Sequence, residues 1–88
     1  MTALTTTAAP DSPRLTTVLT ARQSRPPRYQ PVLLEARHHA DGQLRWSRTK
    51  LLGAETTNLT DATARAQDRA RDFGCEFREG VQPGQAVE

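Results

Sequence analysis

Nine side chains between positions 22 and 50 share one kind of chemistry: Arg22, Arg25, Arg28, Arg37, His39, Arg45, Ser47, Arg48 and Lys50. A guanidinium is a planar fork that matches a phosphate or the edge of a guanine, and an ammonium has no such shape. Hydroxyl and ammonium groups hydrogen-bond phosphates and set register along a nucleic-acid backbone. Eleven of the twelve positive charges are Arg, although a chain rich in Ala, Arg, Thr and Pro carries that bias whatever its function. The charge is also unevenly placed. Residues 14–50 hold eight Lys/Arg against two acids, whereas residues 51–88 hold four Arg against seven acids. A basic half beside an acidic half points to an anionic partner on the basic side. The plainer explanation is a charged surface that keeps a small protein in solution.

Other chemistries find less support. His38 and His39 are adjacent, and adjacent residues of a strand point to opposite faces, so the two do not chelate one metal. No further His or Cys cluster exists to complete a zinc site, and no metal is expected. General acid–base work by His39, with Arg37 or Arg45 holding a phosphate, is the route to a small ribonuclease. The leading helix expected of ribonuclease toxins built on a three-stranded sheet is missing, which makes that the least favoured reading. Cys75 follows a helix end whose dipole does not favour a thiolate, so it reads as a small, semi-buried apolar residue. A single cysteine also makes no intrachain disulfide. Phosphate loops, dinucleotide turns and paired carboxylates are absent from the sequence. No catalytic residue and no cofactor are expected, and the chain reads as a non-enzyme.

The elements that must hold these side chains follow from periodicity. Val32, Leu34 and Ala36 alternate with Leu33, Glu35 and Arg37, and beyond Asp41-Gly42 the residues Leu44 and Trp46 alternate with Arg45 and Ser47. Period two marks two half-buried strands, which pair as a β-hairpin. Loop length sets the register. A two-residue turn at Asp41-Gly42 places the apolar residues of the two strands on opposite faces. A three-residue loop, Ala40-Asp41-Gly42, pairs Ala36 with Trp46 and His38 with Leu44, gathers Val32, Leu34, Ala36, Leu44 and Trp46 on one face, and puts Gly42 at a left-handed position. The second register is predicted. Its opposite face carries Glu35, Arg37, His39, Gln43, Arg45, Ser47 and Thr49, with Arg37 opposite Arg45. Like charges directly opposite in a sheet are destabilising, which suggests that the pair meets an anion.

Thr56, Thr57 and Leu59 suggest a short third strand. A helix follows, with Thr60 as N-cap, Ala62, Ala66, Ala70 and Phe73 as its apolar stripe, and Gly74 as its stop. The segment from Cys75 to Arg78 alternates again and reads as a last strand at the sheet edge. The fold class is therefore α+β: a small antiparallel sheet, made of the hairpin plus one or two short strands, with one helix packed on one face. The organisation is a disordered, basic, Pro-containing arm over residues 1–28, a ββ(β)αβ domain over 29–79 and a disordered tail over 80–88. Within the arm, the apolar patch at residues 15–19 is either a turn of helix or an extra strand. In element order alone, with no shared motif, this resembles the sheet-plus-helix arms with which some site-specific recombinases bind DNA.

Eighty-eight residues, 35% hydrophobic, allow one domain. A mean hydropathy of −0.70, no long apolar run and no basic-then-apolar leader predict a cytoplasmic chain that neither crosses nor binds a membrane. An ordered part of roughly 50 residues builds a small core, which makes a homodimer or another stabilising partner an expectation. The predicted function is a non-enzymatic nucleic-acid-binding module, for DNA before RNA, reading through the basic sheet face and the arm. The alternative is a protein-interaction module, a small regulator or inhibitor acting through its sheet edge or a dimer interface. In that case exposed apolar edge residues such as Leu33 and Leu51 carry the contact.

Overall fold

The structure, a computed structural model, describes residues 14–87. Its elements run β1 (Leu15–Arg22), β2 (Arg28–His38), β3 (Leu44–Leu51), α1 (Leu59–Phe73) and β4 (Glu76–Phe77). They form an α+β fold with one four-stranded sheet in the order β3-β2-β1-β4. The first three strands are an antiparallel meander, and β4 lies parallel to β1. The sheet is therefore mixed, not purely antiparallel. Helix α1 leaves the β3 edge, crosses the sheet and delivers β4 to the opposite edge, and a crossover of that kind yields a parallel neighbour.

The first correction concerns the arm. Residues 15–22 are an inner strand, held between β2 and β4, and residues 1–13 of the expected arm lie outside the described residues. The three residues Thr16, Thr17 and Val18 are buried, the two threonines at 0% exposure. Their hydroxyls are satisfied inside the fold: Thr17 Oγ1 donates to the Ala66 carbonyl at 3.0 Å, and Thr16 Oγ1 to the Glu76 carbonyl at 3.0 Å. A buried hydroxyl with a partner costs little, and a β-branched side chain suits a strand. Of the two forms expected for the apolar patch at 15–19, a turn of helix or an extra strand, the strand is the one formed, and it extends to Arg22 inside the sheet.

The β2–β3 hairpin takes the predicted register, Ala36 opposite Trp46, Arg37 opposite Arg45 and His38 opposite Leu44. His39 N–H donates to Gln43 O at 2.9 Å, Gly42 N–H donates to His39 O at 2.8 Å, and Gly42 has φ 82°. Beyond Trp46 the ladder slips: Leu34 faces Arg48 while Leu33 faces Lys50, so Thr49 is an extra residue. The regular alternation predicted through Thr49 ends at this bulge.

The second correction concerns what covers each face. Val18, Val32, Leu34 and Trp46 cluster on one face of the sheet, with Ala36, Val81 and Val87 against them. The cover on that face is the C-terminal segment, not the helix. Gly84 N–H donates to Trp46 O at 2.6 Å, Trp46 N–H to Gln85 O at 2.9 Å and Val87 N–H to Leu44 O at 2.9 Å. Residues 80–87 are therefore docked, not a frayed tail. Helix α1 lies on the other face, where Thr17 meets Ala66 and where Pro31, Leu33 and Leu52 are buried. Of its predicted stripe, Ala62, Ala66 and Ala70 are buried and Phe73 only half-buried, and small side chains let the helix approach the sheet closely. Both faces of the sheet are thus used, so few positions are free for a ligand.

The helix begins two residues earlier than predicted. Asn58 is the N-cap, accepting from Asp61 N–H at 3.1 Å, and Thr60 lies inside the first turn. Gly74, at φ 67°, ends it. The third strand reduces to one bridge, Tyr29 with Thr56, and Leu59 belongs to the helix.

Candidate nucleic-acid interface

The nine predicted side chains fall into three groups rather than one surface. Arg22 and Arg28 stand directly opposite each other at the end of the β1–β2 ladder, with Arg25 exposed in the turn between them. One carboxylate answers this group: Glu55 Oε2 lies 3.2 Å from Arg22 Nε, and Glu55 Oε1 lies 4.0 Å from Arg28 Nη1. Arg22 and Arg28 are fixed by strand pairing, and Arg25 by the short turn that joins them, where a disordered arm was expected.

Arg37 and Arg45, at the far end of the sheet, are cross-strand neighbours as predicted, and each has its own acid. Arg37 Nε donates to Glu35 Oε1 at 2.7 Å. Arg45 Nη2 donates to Asp41 Oδ2 at 3.1 Å and to Gln43 Oε1 at 2.6 Å. The repulsion inferred from the sequence is therefore answered locally, without any external anion. His39 Nε2 lies 3.3 Å from Ser47 Oγ, which joins these two predicted residues in the same end group. Arg28 and Arg37 are nine positions apart along β2, about 30 Å of extended chain.

Arg48 and Lys50 do not flank one face. Opposite Leu34 and Leu33, they leave the sheet on opposite sides, and Lys50 Nζ sits 5.6 Å from the centre of the Phe73 ring. Of the predicted apolar edge contacts, Leu51 is exposed, but Leu33 is only 5% exposed and lies under the helix.

The structure adds residues that sequence reasoning missed. Arg14 and Arg78 both lie over the Trp46 indole, at 5.7 Å and 5.9 Å from its centroid. Each cation–π contact contributes about 0.5–1 kcal/mol at an accessible site. Arg14 and Arg78 are 32 positions from Trp46 on either side, so no local pattern announces them. Arg65 packs its stem against Gly53, where an added Cβ would come within 2.6 Å of it.

Two groups depart from their ordinary titration. The Gln43 N–H bond, helped by the Arg45 charge, holds the Asp41 carboxyl below its usual range, and burial pushes the Cys75 thiol up. Among the described residues, no group of three or more His, Cys, Asp and Glu side chains could hold a metal ion. No described helix is long and apolar enough to cross a membrane. Comparison with protein-family models, curated proteins and solved structures gives no match.

Proposed function

We propose that this chain is a non-enzymatic nucleic-acid-binding module, for DNA before RNA, whose main contact is the β1–β2 end of the sheet. The observation that carries this reading is the group of Arg22, Arg25 and Arg28, three guanidiniums against one carboxylate, Glu55, at the turn between two paired strands. Glu55 offsets only part of the repulsion between the two cross-strand arginines, and phosphate would relieve the rest. The end group of Arg37, His39, Arg45 and Ser47 takes a secondary part, because Glu35 and Asp41 compete with an incoming phosphate. Arg48 and Lys50 add charge along the β3 edge.

The test is fluorescence anisotropy with labelled duplex DNA, single-stranded DNA and RNA at about 50 and 200 mM salt, the range over which counterion release is visible. Micromolar or tighter binding that weakens steeply with salt is expected. Replacing Arg22, Arg25 and Arg28 together by Ala should flatten the log–log salt slope by roughly 2.7, about 0.9 per lost phosphate contact. Arg37→Ala with Arg45→Ala should do less. No binding to any probe at the lower salt would overturn the reading.

A further inference from the structure

We propose that the free half of the β1 edge, residues 19–22, is a self-association site, at which a second copy of this chain adds its own β1 in antiparallel fashion. The inference rests on the sheet edge and stands apart from the nucleic-acid reading.

Strand β4 pairs with Thr16 and Thr17 only, and the last bond on that side runs from Arg78 N–H to Thr17 O at 2.9 Å. Thr17 therefore turns its backbone groups outward. In a strand these directions alternate, so Leu19 and Ala21 also face outward, while Val18 and Thr20 bond β2. No described strand lies outboard of Leu19 and Ala21.

The two edges of the sheet differ in protection. On the β3 side, residues 84–87 cover Leu44 to Trp46, and beyond them come the Thr49 bulge, Arg48 and Lys50. Bulges and cations are the usual means of blocking edge-to-edge pairing. The β1 edge has an unbroken register, no proline, and no charge before Arg22.

Concavities flank this edge on both sides. A cleft of about 240 Å³ on the helix side is lined mainly by the apolar Leu19, Ala21, Leu59 and Phe77 with Tyr29, and Thr63, Arg78, Glu79 and Gly80 complete it. A second, of about 440 Å³, is lined by Leu19, Thr20, Ala21, Gln23, Gln82 and Pro83. An added strand places alternate side chains in each, so the fitting sequence is apolar toward the helix and uncharged polar on the other side. The β1 strand has that pattern itself, with Leu19 and Ala21 on the helix face and Thr20 opposite. A two-fold axis near Thr20 sets Leu19 of one copy against Ala21 of the other and satisfies all four outward groups of each pair. The two Arg22 side chains then stay about 13 Å apart along the strands. Leu59, 49% exposed at the mouth of the first cleft, becomes covered.

Sedimentation over micromolar to millimolar concentration tests this on the full chain. A monomer–dimer equilibrium is expected, largely indifferent to salt. Ala21→Pro removes one outward N–H while leaving the bonds to β2 intact. Leu59→Glu puts a charge at the cleft while suiting the first turn of a helix. Each should weaken association at least tenfold with unchanged circular dichroism. If Ala21→Pro fails to fold, Leu59→Glu decides alone. A monomer throughout, including one that instead binds a different extended peptide at this edge, overturns the proposal. So does a dimer that the folded variants leave unchanged.

Discussion

Asp41 shows how one side chain fixes a turn and a charge pair together. Its carboxylate accepts from Gln43 N–H at 3.0 Å and from Arg45 at 3.1 Å. Both contacts favour the ionised form, so the folded carboxyl titrates below its ordinary value of 3.8. A group whose folded pKa is depressed stabilises the fold above its unfolded pKa and loses that effect as pH falls through the folded value. Protection of the Gln43 amide, followed by NMR, should therefore persist down to that ordinary value and fade only in stronger acid. Fading already near neutrality would show that Asp41 does not hold the turn. At this scale the sequence was partly legible. Arg37 opposite Arg45 was foreseen, but their partners Glu35 and Asp41 were not, because ion pairing depends on rotamers that no spacing rule reports.

At the scale of elements, the hairpin and the helix follow from local rules, and β1 does not. Gly42 takes φ 82° with no atom near its missing Cβ, so the demand there is conformational and not steric. Gly42→Ala should destabilise by about 1–2 kcal/mol, the usual penalty for a Cβ in the left-handed region, and Gly42→Asn by less. Denaturant melting of the two variants checks the order. Equal losses would mean that the turn relaxes out of the left-handed region. The same locality explains why the stripe of Ala62, Ala66 and Ala70 and the stop at Gly74 were readable, since helical period and capping involve neighbours within a turn. The shift of the N-cap from Thr60 to Asn58 is of the same kind, because both residues are competent caps and it is Asn58 that accepts from the N–H three residues on, Asp61. Strand β1 shows in the sequence only as an apolar patch open to helix or strand, because two of its buried positions are threonines, whose hydroxyls need acceptors from elsewhere. The bulge at Thr49 was illegible too, since the period-two pattern runs through Thr49 without a break and the slip shows only in the pairing with β2.

For the molecule as a whole, the decisive feature is that both faces of one sheet are covered by different means. The helix covers Thr17, Pro31, Leu33 and Leu52, and the C-terminal segment covers Val18, Val32, Leu34 and Trp46. The second cover matters for stability. Deleting residues 80–88 strips Val81 and Val87 from a nearly fully buried Trp46 (2% exposed). Burial of one such side chain contributes about 1.5–3 kcal/mol, against a total stability of about 5 kcal/mol for a domain this small. The truncated chain should melt well below the full chain, with red-shifted Trp46 emission. An unchanged melting profile and emission would mean that the segment is dispensable. The same double cover limits function, because it leaves the sheet ends and the β1 edge as the places where a partner has access to the backbone or to fixed charge.

By itself the sequence determined the α+β class, the register of β2 with β3 and the buried stripe of α1, because period two, period 3.6 and a left-handed glycine are properties of residues close in the chain. Tertiary structure alone decided that β1 is an inner strand, which face the helix takes, that residues 80–87 close the other face, and which arginines keep unshared charge. Those outcomes hang on groups far apart in sequence. Thr17 bonds a carbonyl 49 residues away and Thr16 one 60 residues away, and a threonine reads as core or as surface only once such an acceptor is in place.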